Sequence, residues 1–412
     1  MLEAHRIRYV PVREVGEVTL GRQRSPLHTA GANQAPYLRV ANVLDGRIDY
    51  SDVLKMSFAP AEREVYELKP GDILLNEGQS RELVGRSAIY DGPPGMFFQN
   101  TLIRFRASNS ISPGYARHVF KHWLDTGMFA EVSKQTTSIA HLGVDRFSSM
   151  PFPLIKLEDQ ERITRILNEI DRLIVCIRRK IDKIERLRTA LLLEALRATS
   201  AAEPGKGWQR IPLRELIVSV DYGISSPLTR NAEGTPILRM NNLHDGRAYL
   251  DDIKFSSAPI PSSLLLKSGD VLFNRTNSID HVGRTGIWRG ELPEASFASY
   301  LVRINPITDR LRPEYLTLWL AHPVIKNRIR AISTPAVQQV NVNPSRLLNL
   351  EIDVPSSLDE QRRAWQSVST VDEPLEHERL ELRKLKTLRR GLADDLLTGR
   401  VRVTEVSGAI GG

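Results

Sequence analysis

The chain has 412 residues, a hydrophobic fraction of 41% and a formal net charge of +8. The length suits two or three domains, the composition excludes a disordered chain, and the positive charge favours an anionic partner such as nucleic acid. The single cysteine, Cys176, excludes a disulfide framework, and no apolar run approaches the ~20 residues of a membrane span.

The N-terminal segment, residues 1–18, alternates charged and apolar residues. A secretory signal peptide needs a continuous apolar stretch, which this segment lacks. A lone cysteine is typical of a reducing compartment. We therefore expect a soluble, cytoplasmic protein.

Residues 1–155 are rich in short β-type runs, such as DILL (72–75) and TLIRF (101–105), separated by Gly, Pro, Asn and Ser. The triplet Asp-Gly-Arg at 45–47 predicts a turn between two strands, because glycine tolerates positive φ. Residues 113–133 space Tyr115, Val119 and Trp123 as on a helix, which is typical of core positions. This part of the chain is therefore predicted to be a mixed α/β domain.

A long helix follows, with apolar residues at a seven-residue period from Ile163. The repeat persists over four to five heptads, which predicts a coiled-coil helix of about 40 residues and roughly 60 Å. Its basic residues outnumber its acidic ones, which fits either a solvated face or a rod beside a phosphate backbone or an acidic partner. The predicted seam comprises Ile163, Ile170, Leu173, Ile177, Ile184, Leu187 and Leu191.

The chain then repeats itself with an offset of 198 to 201 residues. VPVREV (10–15) recurs as IPLREL (211–216), YLRVANVLDGR (37–47) as ILRMNNLHDGR (237–247), and KPGDIL (69–74) as KSGDVL (267–272). VGR (84–86) recurs unchanged at 282–284, and LEDQER (157–162) recurs as LDEQRR (358–363). A repeat of this length shows that the chain is two copies of one structural unit.

The C-terminal helix differs from its counterpart because Pro374 interrupts the pattern. Proline disrupts a helix interior but suits a first turn, so we expect a break there and a helix from Pro374 to about Thr398. The predicted seam of this helix comprises Leu375, Leu382, Leu385, Leu392 and Leu396. Two helices with similar seams most simply pair antiparallel, as a rod that holds two globular heads apart.

Motifs that carry catalysis are missing from the sequence. It contains no Walker A loop, no dinucleotide-binding glycine pattern, no Asn-Pro-Pro-aromatic box, no nuclease-type acidic cluster and no Gly-x-Ser-x-Gly. One cysteine cannot supply paired Cys/His metal spacing, and the nine histidines are scattered. We therefore predict no catalytic residues and no metal site, and a chain that is not an enzyme by itself.

The order of motifs resembles a known family. GRQRSP (21–26), YLRVAN (37–42), GDIL (71–74), TSIAHL (137–142) and EDQ (158–160) occur in this order in the first copy. DYGISS (221–226), LRMNN (238–242), GDVL (269–272) and DEQ (359–361) follow in the second, and DLLTGRV (395–401) lies near the C-terminus. Over nearly its whole length the chain is similar to the specificity (S) subunits of type I restriction-modification enzymes.

The resemblance implies an α+β fold with two tandem copies of a mixed α/β target-recognition domain, each followed by a long helix. The two helices would pair as an antiparallel coiled coil. The expected segments are residues 1–155 (first recognition domain), 156–200 (central helix), 201–356 (second recognition domain), 357–400 (C-terminal helical spacer) and 401–412 (tail).

The resemblance also implies that each recognition domain reads one half of a bipartite double-stranded DNA target. The chain would bind two methyltransferase subunits that methylate adenine, and restriction/translocase subunits could join them. S-adenosylmethionine, ATP and Mg would belong to those partners, and no cofactor would bind this chain. Pro374 and the segment AWQSVST (364–370), which is poor in apolar residues, depart from the family pattern and bear on the symmetry of the two docking faces.

Polar loops that differ between the copies are the candidates for base reading, because half-sites differ whereas scaffolds agree. Arg can bond guanine bidentately, and Asn or Gln can do the same for adenine. The loops after the two Gly-Asp strands contribute Asn76, Gln79, Ser80 and Arg81, and Asn274, Arg275, Thr276, Asn277 and His281. A second group contains Lys134, Gln135, Thr136, Thr137, Ser138 and His141, and Gln338, Gln339, Asn341 and Asn343. A third contains Arg22, Gln23 and Arg24, and Tyr222, Ser225 and Arg230.

Arg86 and Arg284 are present in both copies, so we predict that they bind phosphate or form a salt bridge rather than read sequence. Two other classes of protein fit the same pattern. One is a non-enzymatic adaptor whose repeated domains bind proteins on a coiled-coil rod, and the other is the recognition part of a single-chain restriction-methylase. A steep loss of DNA affinity with salt would distinguish the DNA reader from the adaptor.

Overall fold

The computed structural model describes residues 7–24, 33–135, 138–200, 203, 206–337 and 339–403. These residues form two compact units. Unit 1 contains the described residues up to Arg178 and from Leu380 onward, and unit 2 contains Arg179–Arg379. The boundaries cut through the two long helices, so each unit holds one recognition domain with a segment of both helices.

The N-terminal half of the chain folds into strands β1 to β14 and helices α1 to α6. The strands are β1 (Arg8–Pro11), β2 (Gly16–Leu20), β3 (Gln34–Leu38), β4 (Val43–Leu44), β5 (Arg47–Ile48), β6 (Leu54–Ser57), β7 (Ile73–Asn76), β8 (Gly78–Gln79), β9 (Ser87–Ile89), β10 (Phe97–Phe98), β11 (Leu102–Ala107), β12 (Lys134–Gln135), β13 (Ala140–His141) and β14 (Pro151–Leu154). The helices are α1 (Val12–Val15), α2 (Pro60–Tyr66), α3 (Pro113–Asp125), α4 (Met128–Val132), α5 (Val144–Ser149) and α6 (Leu157–Ala195).

The C-terminal half contains β15 to β28 and α7 to α11, with short 3-10 turns between them. The strands are β15 (Trp208–Pro212), β16 (Ile217–Tyr222), β17 (Thr235–Leu238), β18 (Leu243–His244), β19 (Gly246–Ala248), β20 (Lys254–Ser256), β21 (Val271–Asn274), β22 (Thr276–Asn277), β23 (Thr285–Ile287), β24 (Ser296–Phe297), β25 (Leu301–Pro306), β26 (Thr334–Ala336), β27 (Gln339–Asn341) and β28 (Glu351–Pro355). The helices are α7 (Pro313–Ala321), α8 (Pro323–Ile332), α9 (Pro344–Leu348), α10 (Leu358–Ser369) and α11 (Asp372–Leu397).

The sequence repeat is a structural repeat. The central sheet of unit 1 has the order β2-β11-β7-β9, and unit 2 repeats it as β16-β25-β21-β23, extended by β19 and β18. The three-stranded sheet β10-β3-β6 corresponds to β24-β17-β20, and the pair β1-β14 corresponds to β15-β28. The predicted duplication and the mixed helix and strand content are therefore confirmed.

The Asp-Gly pairs form the predicted turns between strands. Leu44 faces Arg47 across the turn between β4 and β5, and His244 faces Arg247 in the turn between β18 and β19. The glycines have φ values of 72° (Gly46) and 77° (Gly246). Only glycine adopts this backbone region without strain, which explains why both copies keep it.

Residues shared by both copies join each domain to the helix that follows it. In unit 1 the hydroxyl of Tyr115 donates to the carbonyl of Pro153, and in unit 2 Tyr315 donates to the carbonyl of Asp353. Gln160, at the start of α6, is fully buried among backbone groups of its domain. The glutamine of the retained motif LEDQ therefore has a structural role: it anchors the helix to the sheet domain.

The buried stripe of α6 corrects part of the predicted seam. Leu173 and Leu187 are 46% and 50% exposed, whereas their neighbours on the next ridge, Leu167, Ile174 and Ile181, are buried. A helix has 3.6 residues per turn, so spacings of three and of four both return to one face. The sequence offers apolar residues at both spacings, and the contacts of the folded helix select one of them.

The C-terminal helices begin and end near the positions that Pro374 predicts. Helix α10 ends at Ser369 and α11 begins at Asp372, which places Pro374 in the first turn of α11. Leu375 and Leu396 are buried, and three further leucines of the predicted seam are partly buried: Leu382, Leu385 and Leu392. In the same stripe stand two buried charged residues, Glu378 and Arg389.

Ion pairs connect α6 and α11 within each unit. In unit 1, Arg389 Nε lies 3.1 Å from Asp171 Oδ1. In unit 2, Lys180 Nζ lies 2.5 Å from Glu378 Oε1, and Arg188 Nε lies 2.8 Å from Asp372 Oδ1. In unit 2 the residue numbers rise along α6, from Lys180 to Arg188, while those of the partners fall along α11, from Glu378 to Asp372.

Candidate nucleic-acid interface

In unit 1 a small sheet brings two of the predicted polar loops together. Strand β13 pairs with β12 on one side and with β8 on the other, so that Ala140 lies opposite both Gln135 and Gln79. The residues come from loops more than fifty positions apart, 76–82 and 134–141. This sheet, formed by β12, β13 and β8, is named the reading sheet of unit 1.

Unit 2 builds the same sheet from different residues. Strand β27 pairs with β22 and with β26, so that Asn341 lies opposite both Thr276 and Thr334. The hydroxyl of Thr276 donates a hydrogen bond to Asn341 Oδ1 at 3.1 Å. The sheet of β22, β27 and β26 is named the reading sheet of unit 2. Its architecture matches unit 1, and its side chains do not.

The reading sheet of unit 1 contains a histidine that lies next to a carboxylate. His141 Nδ1 lies 3.0 Å from Glu77 Oε2, and the imidazole side chain is 43% exposed. Glu77 orients the ring, which leaves the other ring nitrogen available to a ligand. Arg81 and Lys134 are exposed near the same strands. Arg81, Lys134 and His141 are thus hydrogen-bond donors available to phosphate or base acceptors.

An aromatic ring joins the third predicted group to the reading sheet of unit 2. The guanidinium of Arg275 lies 5.3 Å from the centroid of the Tyr222 ring, which is about half exposed. Arg230 Nη2 lies 3.9 Å from Asp252 Oδ1, so its charge is partly compensated. Tyr222 is therefore the member of this group that the structure ties to the reading sheet.

Three predicted DNA-contacting residues are buried and belong to the scaffold. Asn76 and Asn274 are 0% exposed, because each ends a central strand inside its unit. Arg22 is also buried, with Nε 2.7 Å from Glu62 Oε1 and its guanidinium over the ring of Phe58. Side chains buried in this way offer no surface to a DNA groove, which argues against a DNA-contacting role for these three residues.

The remaining candidates divide by position. Asn343 is the N-cap of α9: its Oδ1 accepts a hydrogen bond from the N–H of Ser345 at 2.9 Å, which accounts for an asparagine at this position. Thr136, Thr137 and Gln338 lie outside the described residues. The exposed candidates are Gln23, Arg24, Arg81, Lys134, Gln135, Ser138, Ser225, Arg230 and His281, and the partly exposed ones are Gln79, Ser80, Arg275, Thr276, Asn277, Gln339 and Asn341.

The two arginines retained in both copies, Arg86 and Arg284, are partly exposed. Burial lowers the pKa of Arg86, and nearby Asp45 opposes that shift. Arg284 faces a cleft of about 660 Å³ in unit 2. Neither side chain forms an ion pair with another described residue, so the prediction that Arg86 and Arg284 bind phosphate or form a salt bridge stays a prediction.

Exposed apolar side chains also lie beside the reading sheets. The sequence did not indicate them as DNA-contacting residues, because the candidates were chosen from polar loops. Val337 is 93% exposed in the connection between β26 and β27, and Ile279 and Ile139 are nearly half exposed in neighbouring loops. Apolar side chains read the methyl group of thymine or enter base steps. The sequence feature that could have identified these residues is an isolated Val or Ile within a polar loop.

In the described part of the chain, no group of three or more His, Cys, Asp or Glu side chains is placed to hold a metal ion. Within the same residues, no helix combines the length and the apolar character needed to cross a membrane.

Comparison with protein families gives two matches along the chain. The model of the type I restriction modification DNA specificity domain matches residues 9–186 and again residues 206–385. The chain is 22% identical over 393 residues to the type I restriction enzyme MjaVIII specificity subunit of Methanocaldococcus jannaschii, covering 90% of each chain. It is 24% identical over 309 residues to the type I restriction enzyme EcoKI specificity subunit of Escherichia coli, covering 71% of this chain and 66% of that one.

A solved structure shares the fold. The S subunit of a type I restriction-modification system from M. genitalium matches with a TM-score of 0.56 and 13% identity, over 96% of this chain and 98% of that one. At this identity the match concerns the fold alone. Both compact units and both long helices lie within the matched length.

Proposed function

Because the chain belongs to the type I restriction-modification DNA specificity family, we propose that it recognises a bipartite DNA target, one half-site for each unit. The chain is a specificity subunit with two specificity domains and supplies recognition rather than catalysis. Adenine methylation and restriction would be carried out by partner subunits that this chain directs to its target.

The single observation that supports this proposal most is the pair of reading sheets. Each brings a loop that follows a central strand next to a loop from the end of its domain. The backbone arrangement is the same in both units, whereas the side chains differ: Gln79, Lys134 and His141 in one, and Asn277, Gln339 and Asn341 in the other. A constant platform with variable polar side chains is what reading two unlike half-sites requires.

The chemistry of these side chains suits the major groove. Asn and Gln can pair bidentately with adenine, and Arg with guanine O6 and N7. A good bidentate pair contributes about 1–3 kcal/mol of discrimination against a wrong base. We propose that Arg81, Gln79 and Lys134 read or position the first half-site, and that Asn277, Gln339 and Asn341 read the second.

We also propose that α6 and α11 pair as an antiparallel coiled coil. The opposite order of residue numbers in the ion pairs of unit 2 supports this arrangement. Glu378 and Arg389 would each occupy a seam position. A buried charged residue at such a position specifies the register of the two helices rather than adding stability.

The partners proposed for this helix pair are two methyltransferase subunits, with restriction/translocase subunits as possible further members. Six leucines on the helices are 42–51% exposed, which fits docking surfaces: Leu157, Leu173, Leu187, Leu193, Leu380 and Leu388. We propose that S-adenosylmethionine, ATP and Mg are bound by these partners, and that the complex acts in the cytoplasm on double-stranded DNA.

Mapping N6-methyladenine in cells tests the proposal. Cells that express this chain with its cognate methyltransferase subunit are compared with cells that lack only this chain. We expect a methylated motif of two unlike short half-sites separated by an unspecified gap, which disappears without the chain. If the methyltransferase is active with another specificity subunit and this chain changes nothing, the DNA-reader proposal fails and the protein-binding adaptor takes its place.

A further inference from the structure

Unit 2 contains a basic cleft that the reading of bases does not use. The cleft has a volume of about 660 Å³ and is bounded by the loop after β22, the start of α8 and the two long helices. Five cationic side chains line it, and three of them are Arg284, Lys326 and Arg330. All the lining residues belong to unit 2.

These three cations are not neutralised by the protein. Among the described residues, none accepts a hydrogen bond from, or forms an ion pair with, the side chain of Arg284, Lys326 or Arg330. By contrast, Arg188 and Arg379, which also line the cleft, bind Asp372 and Glu185 at 2.8 and 2.7 Å. The cleft thus concentrates uncompensated positive charge between low-dielectric walls, which focuses the field on an anion.

The carboxylates of the cleft are mostly committed elsewhere. Asp245 Oδ2 lies 2.5 Å from Arg379 Nη1, and Glu185 pairs with the same guanidinium. Burial raises the pKa of Asp245, but hydrogen bonds from His244 and Arg379 outweigh burial and hold the pKa below its usual range. Asp280, at the exposed rim, is the remaining acidic lining residue. Three free cations therefore face one free carboxylate.

The pKa of Lys326 reflects this excess of positive charge. Desolvation lowers its pKa, and Arg188, Arg330 and Arg284 lower it further, while Asp245 raises it. Helix α8 has 10 residues and begins at Pro323, which also lines the cleft, so the partial positive charge of a helix N-terminus adds to the side chains. An anion with several acceptor oxygens would satisfy these donors together.

The charge is specific to unit 2, although its framework is common to both. Gly85 packs against Phe129 in unit 1, and Gly283 packs against Ile329 in unit 2. Phe129 and Ile329 are therefore equivalent positions. With this alignment, Lys326 and Arg330 of unit 2 correspond to Thr126 and Ala130 of unit 1. Packing does not require cations at these positions, so the pair of basic residues is an addition to the shared scaffold.

We propose that this cleft binds a phosphate group, and that the DNA backbone beside the second half-site supplies it. Arg284 would grip two phosphate oxygens with its planar fork, and Lys326 and Arg330 would add point contacts. The cleft wall includes Asp280 and residues 282–285, which lie shortly after the reading strand β22 in the chain. The choice of DNA as the source rests on the proposed function; the phosphate chemistry rests on the cleft.

The experiment uses the full chain and three variants: Arg284→Gln, Arg330→Gln and the control Arg328→Gln. Arg328 lies on the same helix, is exposed and does not line the cleft. The first arm measures binding of a duplex DNA over a range of salt concentrations by fluorescence anisotropy. The second arm measures binding of inorganic pyrophosphate by calorimetry. Thermal melting of every variant shows whether it folds.

We expect Arg284→Gln and Arg330→Gln each to reduce the slope of log affinity against log salt by about one, while Arg328→Gln leaves it unchanged. Unchanged slopes with loss of pyrophosphate binding in the cleft variants would retain the phosphate site but replace DNA by a free phosphate compound as its source. If folded cleft variants match Arg328→Gln in both arms, the proposal is overturned. Failure of the wild-type chain to bind DNA would defeat the proposed function, and the pyrophosphate arm would still decide the cleft.

Discussion

Gln160 Oε1 accepts a hydrogen bond from the backbone N–H of Ser112 at 2.9 Å, and its amide nitrogen donates to two carbonyls of the same unit. Gln361 makes the equivalent bonds in unit 2, accepting from the N–H of Arg312 at 2.8 Å. Both glutamines are 0% exposed. The side chain thus joins the start of a domain helix to the start of the helix that follows the domain, which explains its retention in both copies.

Replacing Gln361 by alanine should therefore destabilise unit 2. The change leaves the N–H of Arg312 and the carbonyls of Arg310 and Pro355 without their partner. We expect a loss of about 2 kcal/mol in the free energy of unfolding, measured by urea denaturation. Gln366→Ala is the matched control, because Gln366 lies on the same helix and is exposed. Equal stability of the two variants would contradict the role assigned to Gln361.

Acid should destabilise unit 1 through His118. Burial lowers the pKa of His118 to about 3, and Arg117 and Arg389 contribute to the shift. The unfolded chain, with a histidine pKa of about 6.5, takes up a proton that the folded chain refuses. Stability should therefore fall as the pH drops from about 6.5 towards 3, by up to about 1.4 kcal/mol per pH unit.

The variant His118→Gln keeps a donor for Asn168 Oδ1, which His118 Nε2 contacts at 2.9 Å, and removes the titration. Its unfolding free energy should depend less on pH across this window than that of the wild type. His377→Gln, at an exposed position on α11, should leave the wild-type slope unchanged. Identical slopes for His118→Gln and the wild type would disprove this account of the acid sensitivity.

Asn341→Ala should alter the second half-site of the DNA target and leave the first intact. The change removes a side chain of the reading sheet that is held by Thr276, so discrimination at one base should weaken by about 1–3 kcal/mol. The measurement is the methylated motif in cells that express the variant with the methyltransferase. Asn343→Ala is the control: loss of the α9 cap should cost about 1 kcal/mol of stability without changing the motif.

Two adjacent residues on α6 should separate partner binding from folding. Leu173 is 46% exposed and Ile174 is 7% exposed. Ile174→Ala should lower the free energy of unfolding by about 2–5 kcal/mol, whereas Leu173→Ala should change it by less than about 0.5 kcal/mol. If Leu173 contacts a methyltransferase subunit, Leu173→Ala should weaken that association roughly tenfold in a pull-down titration or calorimetry. Unchanged association would exclude this position from the docking surface.

Much of the fold follows from local pattern. The duplication is visible because both copies keep the residues that turns and anchors require, such as the Asp-Gly turns and the buried glutamines. The interruption before Pro374 is also local, since proline cannot occupy a helix interior. The pairing of the reading sheets was not visible, because their strands are two or three residues long and come from loops far apart in the chain.

For the candidate site, too, the sequence predicted one part and the tertiary structure decided the rest. Polarity alone could not separate Asn277, which is partly exposed, from Asn274, which is three residues earlier and buried. Periodicity could not choose between Leu173 and Ile174, because both lie within one helical turn of the seam. Burial depends on what packs against a residue, and that is a property of the tertiary fold.

The sequence by itself determined the repeat, the helices and the class of protein, because these depend on residue order and local backbone preference. Only the tertiary structure decided which polar side chains reach the surface, which helix ridge is buried, and where three cations without partners share one cleft. Those outcomes depend on contacts between residues distant in the chain, and no local pattern encodes them.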